Sequence, residues 1–371
     1  MATMTDTEAL VALNLLPRIG PVRVRKLLDQ FSSPSAVLGA PLDVLRRVSN
    51  IGEETAAILH KWEDHCDVTR ELDEVKARGL TLISKFDAEY PAPLREAYDG
   101  PNVLYVWGKL DERDKHSVAV VGSRRSTNYG TQATKKFSFQ LAHAGYTIIS
   151  GLARGIDTTA HEAALAANGR TIAVIGSGLA KLYPPENFAL AEKISAGNGA
   201  IVSEFPLHTE PDKQTFPQRN RIVAAWCKAL LVTECPAWSG AMITANLASE
   251  YGKSVYAVPG PIDKPTSAGC HQLIRDGATL VFDASQIIDD LGSFSFGKTT
   301  TSIVDENAER ELPILEGDEA KLYAILTTEE MSVDRIIGLS GLPAATVSGT
   351  LLKLEMKRLV RAMPGFRFCK R

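Results

Sequence analysis

Apolar residues follow two rhythms along this chain. From residue 8 to about 83 they recur at helical spacing, as in Leu10, Leu13, Leu27, Leu28, Val44, Leu45, Ile58 and Leu59, which predicts a bundle of helices. From residue 117 the rhythm changes to short, almost unbroken apolar runs separated by helical stretches. The runs are 117–121, 147–150, 171–175, 200–203, 229–233, 254–258 and 279–282. A strand buried on both faces reads this way, and strands alternating with helices form βαβ units. The pattern predicts a doubly wound, mostly parallel α/β sheet. Residues 84–114, rich in Pro, Asp and aromatics, read as a connector ending in a strand within Pro101–Gly108. Residues 293–316 have no period and read as a linker. The expected organisation is a helical domain over 1–83, an α/β domain over 84–292, the linker, and a compact C-terminal domain over 317–371.

Each end of the chain carries a local pattern of its own. Leu16-Pro17-Arg18-Ile19-Gly20-Pro21 and Val48-Ser49-Asn50-Ile51-Gly52 each interrupt the helical rhythm with a glycine turn and restart it. A helix, an apolar-x-Gly turn and a second helix resembles a sterile-α-motif or helix–hairpin–helix-like unit, whose helix starts face DNA phosphate. The same text also fits a plain packing turn. At the other end, Leu322, Ile325 and Leu326, then Val333, Ile336 and Ile337, then Val347, Leu351 and Leu354 mark three helices. A hairpin, 360–363 with 366–369 around Pro364-Gly365, follows them, and the set resembles a winged helix. Residues 351–371 hold seven cations against Glu355, a net +6, which fits either nucleic-acid contact or a solvated docking module.

Composition narrows the function classes. The 371 residues carry a formal charge of −3, so any nucleic-acid site must be a local basic patch. Five cysteines, none in a C-x-x-C pair, argue against a disulfide framework or zinc site and fit a reducing cytoplasm. The first sixteen residues lack the basic start of a signal peptide, and no apolar run reaches the length of a membrane span. No metal-ligand spacing occurs among the seven histidines, and neither a metal nor a cofactor is expected.

The candidate chemistry lies where the strands end. Gly122-Ser123-Arg124-Arg125 follows the first apolar run, Gly151-Leu152-Ala153-Arg154-Gly155 the second and Gly176-Ser177-Gly178 the third; Ser239-Gly240 and Gly260 follow later ones. In an open parallel sheet these points share one edge, where ligands bind. Glycine lets a ligand approach the backbone, and the helix start behind each loop favours an anion. Gly176-Ser177-Gly178 lacks the third glycine of a dinucleotide fingerprint, and no P-loop is present. The segment Lys213-Gln214-Thr215-Phe216-Pro217-Gln218-Arg219-Asn220-Arg221 adds cations that suit phosphate and an aromatic that suits a base. Asp157 and His161 read as helix-start residues, with Asp157 or Thr158 capping and Thr159-x-x-Glu162 at capping-box spacing. Glu234, at a strand end, is expected to orient Arg219 or Arg221.

Five of these motifs occur together and in order: G-S-R-R-S, G-L-A-R-G-I-D, G-x-G-L…Y-P-P-E-N, S-E-F-P and F-P-x-R-N-R. In this order they resemble the DNA-processing protein DprA (Smf) family, strongly over residues 84 to about 290 and loosely at both ends. The resemblance implies a Rossmann-like domain, homodimerisation through it, single-stranded DNA binding and loading of the RecA recombinase in natural transformation, without catalysis. It implies that Arg124 and Lys213 contact phosphate, that Gly122 and Ser123 give backbone N–H groups to phosphate, and that Phe216 sits against a base. Arg219 and Arg221 would flank the pocket, and Asn220 would bond a base or sugar edge. The fold also resembles nucleotide phosphoribohydrolases, which carry a glutamate in P-G-G-x-G-T-x-x-E. Here that stretch runs from Glu234 to Thr244 and lacks the acidic residue near Ile243 and Thr244, leaving general acid–base work without an evident agent.

Overall fold

The computed structural model describes residues 4–292, 315, 317–327, 331–357, 359–363 and 367–370. Compactness divides the chain into Met1–Phe296 and Gly297–Arg371.

The first unit is built on a nine-stranded sheet. In chain order its strands are β1 Thr81–Ser84, β2 Val103–Gly108, β3 Ser117–Val121, β4 Thr147–Ser150, β5 Thr171–Val174, β6 Gly199–Ser203, β7 Ala229–Val232, β8 Ser254–Ala257 and β9 Thr279–Leu280. In space the order is β1-β2-β6-β5-β4-β3-β7-β8-β9. All pairings from β6 to β9 are parallel, whereas β1–β2 and β2–β6 are antiparallel. The chain winds outward from β3 through β4, β5 and β6, then returns to pair β7 on the other side of β3. The pairs Val118↔Ile148 and Val118↔Ala229 fix that reversal in register. Helical periodicity does not continue to residue 83, because β1 begins at Thr81 and adds an antiparallel edge.

Alternation along β3 explains the two helical layers. Val118 and Val120 join a core with Phe137, Leu141, Ile156 and Ile287, on helices Asn128–His143, Ile156–Ala166 and Ala284–Leu291. Ala119 and Val121 face the opposite core, where helices Thr215–Trp226, Gly240–Glu250 and Ala268–Arg275 supply Ile222, Trp226, Ala245 and Leu273. Burial on both faces accounts for the unbroken apolar runs.

β2 alternates in the same way, and this ties the N-terminal helices to the sheet. Leu104 and Val106 enter the sheet core, while Val103 and Tyr105 pack among Leu10, Leu13, Leu27 and Leu59 of the helices. Hydrogen bonds reinforce the seam: Asn14 Nδ2 donates to Glu204 O at 2.8 Å, and Leu207 N donates to Glu71 Oε1 at 2.8 Å. At the two glycine turns, Gly20 and Gly52 precede helices Pro21–Leu28 and Glu53–His60 without a side-chain cap. Glu53 and Glu54 fill the first turn of the second helix and pair with Arg46 and Arg18. The arginines that could face phosphate there are thus committed to these glutamates, which suits packing.

The second unit has helices Asp318–Ile325, Val333–Ser340 and Ala344–Met356 and a small sheet ordered β10-β12-β11. Its strands are β10 Met331–Ser332, β11 Val360–Met363 and β12 Arg367–Lys370. Leu322, Leu326, Ile336, Val347, Leu351 and Leu354 form its core, giving a winged helix. Two cations from the basic tail are engaged within it: Lys357 with Glu319, and Lys370 over the Tyr323 ring at 4.5 Å. The Pro364-Gly365 turn and, apart from Leu315, the expected linker 293–316 lie outside the described residues.

Candidate nucleic-acid interface

The winding reversal at β3 leaves a crevice outside the carboxyl ends of β3 and β7, where an open α/β sheet binds ligands. A cavity of about 680 Å³ occupies it. Its lining includes Gly122, Ser123, Arg124, Gly151, Lys213, Phe216, Arg219, Asn220, Ser239 and Gly240. Gly155, Gly176, Gly178 and Arg221 are not in the lining.

Helix geometry separates the residues of the F-P-x-R-N-R run. Phe216, Arg219, Asn220 and Val223 lie three, four and seven apart, share one face and reach the crevice. Arg221 is two positions from Arg219 and so turns to the far side. There its guanidinium pairs with Glu204 and donates to Asp99 O. Arg221 therefore does not flank the pocket; it joins the helix to the segment after β6. Glu234 orients neither arginine. Its carboxylate accepts from Thr127 N at 2.8 Å and secures the start of helix Asn128–His143.

Arg219 lines the crevice from below. It is 4% exposed, and its Nη1 donates to Val174 O. Burial lowers its pKa to about 10, against the opposing pull of Asp157, so it stays a cation at neutral pH. Asp157 does not cap its helix. It folds the preceding loop, accepting from Gly151 N at 3.1 Å and Ala153 N at 3.3 Å, while Gly155 occupies the cap position. Thr158 and Thr159 turn their hydroxyls back to Ala153 O and Gly155 O.

Several glycines serve packing. A Cβ on Gly122 would lie 2.6 Å from Ile156 Cγ1, and one on Gly151 would lie 1.9 Å from Arg219 Nη1. Gly155 combines a φ of 78° with a potential Cβ 2.4 Å from Ser123 O. At Gly176 the Phe216 ring takes the space, and at Gly178 the carbonyls of Pro206 and Leu207 do. Gly240 differs: only Asn220 Nδ2, at 4.0 Å, approaches the position of its absent side chain. It begins helix Gly240–Glu250, which has no side-chain cap; Ser239 lies instead beside the Cys235 thiol. An uncapped helix start at a crevice wall favours an anion.

The charge of the lining is one-sided. Arg124, Arg125, Lys213 and Arg219 face one carboxylate, Asp157, which the two loop amides already hold. Arg124 also lies over the Phe216 ring at 4.8 Å; Phe216 meets Tyr183 at 6.0 Å, and Arg154 lies 5.7 Å over Tyr183. Cations and rings thus alternate from the crevice outward: Arg124 and Phe216 line it, whereas Tyr183 and Arg154 lie outside the lining and Arg154 is paired with Glu186. The sequence motifs contain Arg125, Arg154 and Tyr183 but give no sign of their spatial order. Thr266, which reaches the crevice from beyond β8, has no sequence signal at all.

The fold and crevice define a doubly wound α/β protein with a cation-lined switch point. The family described as DNA recombination-mediator protein A matches residues 81–292, and the DprA winged helix domain matches 306–365. Protein Smf of Synechocystis is 33% identical over 95% of this chain and 96% of its own length. The structure of DNA processing protein A (DprA) from Streptococcus pneumoniae superposes with a TM-score of 0.67 at 34% identity, covering 80% of this chain and all of that one. DNA processing protein A from Helicobacter pylori, whose structure is described as revealing a single-stranded DNA binding mode, has a TM-score of 0.51 at 30% identity over 57% of this chain and 95% of its own. The chain belongs to the DprA (Smf) family.

Proposed function

We propose that this protein binds single-stranded DNA in the crevice between β3 and β7, leaves it uncut, and delivers it to the RecA recombinase in recombination and natural transformation. In this reading it works in the cytoplasm as a homodimer through its α/β domain. The observation that carries the reading is the lining of four cations and one committed carboxylate in a chain whose net charge is −3. Such a crevice attracts a polyanion locally. The Ser123 amide is already given to Glu234 O at 2.8 Å and so is not open to phosphate. Phosphates meet Arg124, Lys213 and the helix start at Gly240, a base meets Phe216, and buried Arg219 adds charge from beneath. The Helicobacter pylori relative supports the same class of ligand. A hydrolytic role has less support, because Asp157 is the one carboxylate lining the crevice among the described residues and it is tied to the loop.

The test is a salt titration of binding to an oligothymidylate. Each phosphate contact contributes about 0.7 to the slope of log affinity against log salt for a single strand. Lys213→Ala and Arg124→Ala should each lower affinity and flatten that slope by about 0.7. Unchanged slopes in both variants overturn the assignment of the crevice.

A further inference from the structure

The cation–aromatic wall lies on the β4–β5 side of the crevice. On the opposite side, beyond β7, the loop carries Trp238, which is 98% exposed. A tryptophan wholly uncovered on a folded protein stands out, since large aromatics bury most of their surface. Its place in the chain is narrowly defined. Pro236, two residues before it, and Ser239 and Gly240, immediately after it, all line the crevice. The side chain therefore stands at the mouth, next to the uncapped helix start at Gly240. The neighbouring strand repeats the pattern. The loop after β8 brings Thr266 into the lining and holds Ile262 at 95% exposure, and β7 pairs directly with β8 through Val232↔Ala257. Ile243, on the first turn of the Gly240 helix, lines the crevice while remaining 45% exposed.

We infer that Trp238 is a base-stacking platform for single-stranded nucleic acid, which extends the groove past the β7 side of the crevice. The inference rests on the DNA-binding reading above and adds a residue that reading does not use. Phosphates held at the Gly240 helix start and at Lys213 leave the attached bases to be placed outside. An indole at the rim gives one of them a flat apolar face. Stacking of this kind accepts any base, so it lengthens the footprint without adding sequence preference. A protein partner would also cover an exposed indole, but the loop is continuous with a crevice lined by cations, which matches a polyanion.

The test uses the full-length chain and oligothymidylates, one of them with abasic positions in place of its bases. Binding should quench tryptophan fluorescence, and Trp238→Phe should remove most of that quenching while keeping the affinity. Trp238→Ala should weaken binding about fivefold or more. The same variant should bind the intact and abasic strands more nearly alike than the wild type does. If wild type binds and Trp238→Ala binds equally well, the platform is overturned and a protein contact for Trp238 is favoured. If wild type itself fails to bind any single strand, both this inference and the reading it rests on fall.

Discussion

Arg219 shows how a single side chain in this crevice is constrained. It is a buried cation enclosed by glycine at 151, the Val174 carbonyl that accepts from it and the carboxylate of Asp157. Removing it takes away the positive charge that favours the Asp157 carboxylate, whose pKa burial already pushes upward, and leaves that carboxylate to its two loop amides. Breaking one side of a buried charge arrangement costs about 3–5 kcal/mol. Arg219→Ala should therefore lower the urea midpoint by an amount that fits that range, whereas Lys213→Ala, at an exposed position, should leave the midpoint where it is. Equal midpoints for Arg219→Ala and wild type would show that the guanidinium is not a structural support. The two cations lie six residues apart in one motif, yet stability should separate them: one is buried beneath the crevice, the other exposed at it.

At the scale of elements, helix Ile156–Ala166 is fastened to β5 by His161. Thr171 Oγ1 donates to Ile148 O at 2.8 Å, so it accepts from His161 Nδ1 at 2.7 Å, which fixes the proton on that nitrogen. The ring is fully buried, and burial together with Arg219 lowers its pKa to about 3. An unfolded histidine titrates near 6.5, so the depressed folded value favours the native state fully above about pH 6.5, and that contribution is lost as pH falls toward 3. Between those limits each pH unit removes about 1.4 kcal/mol. Urea denaturation at pH 7.0 and 5.5 should show a loss on acidification that is about 1.3 kcal/mol smaller in His161→Gln than in wild type. Matching losses would overturn this.

The elements also show what the sequence made legible. Every apolar run from Ser117 onward became a parallel strand, because burial on both faces writes itself into composition. β1 did not stand out: Thr81-Leu82-Ile83-Ser84 follows a helix with a similar apolar density, and its partner β2 lies about twenty residues away. The crevice was readable as a set of strand ends. Which residues enter it was not, because helix phase, invisible in a motif string, turns Arg221 away while bringing in Asn220. Gly122 and Gly151 line the crevice and Gly155 does not, and much of the necessity of all three comes from loop meeting loop or helix. Asp157 looked like a cap because it sits near a helix start. The loop amides of Gly151 and Ala153 compete for it and win.

At the scale of the whole molecule, the N-terminal helices and the sheet share β2, whose alternate side chains belong to two cores. Neither core is complete without that strand. The helices and sheet should therefore open together. Native-state hydrogen exchange should give amides of helix Asp6–Leu15, whose Ala9 to Leu13 are wholly buried, the same opening free energy as those of β5. A markedly lower value for the helix would show that it unfolds alone.

The reversal at β3 has a consequence for the order of assembly. β3 finds β4 about thirty residues later, but its other edge waits for β7, with Val118 pairing Ala229. A chain emerging from its N-terminus completes the outward half of the sheet, β3 to β6, while that edge is still bare. The crevice does not exist at that stage, because one of its two walls has not been made. It appears only when the returning half closes the seam. A nascent or truncated chain ending before residue 229 would thus be compact in part and unable to hold the ligand, so the capacity to bind doubles as a report that the sheet has been finished.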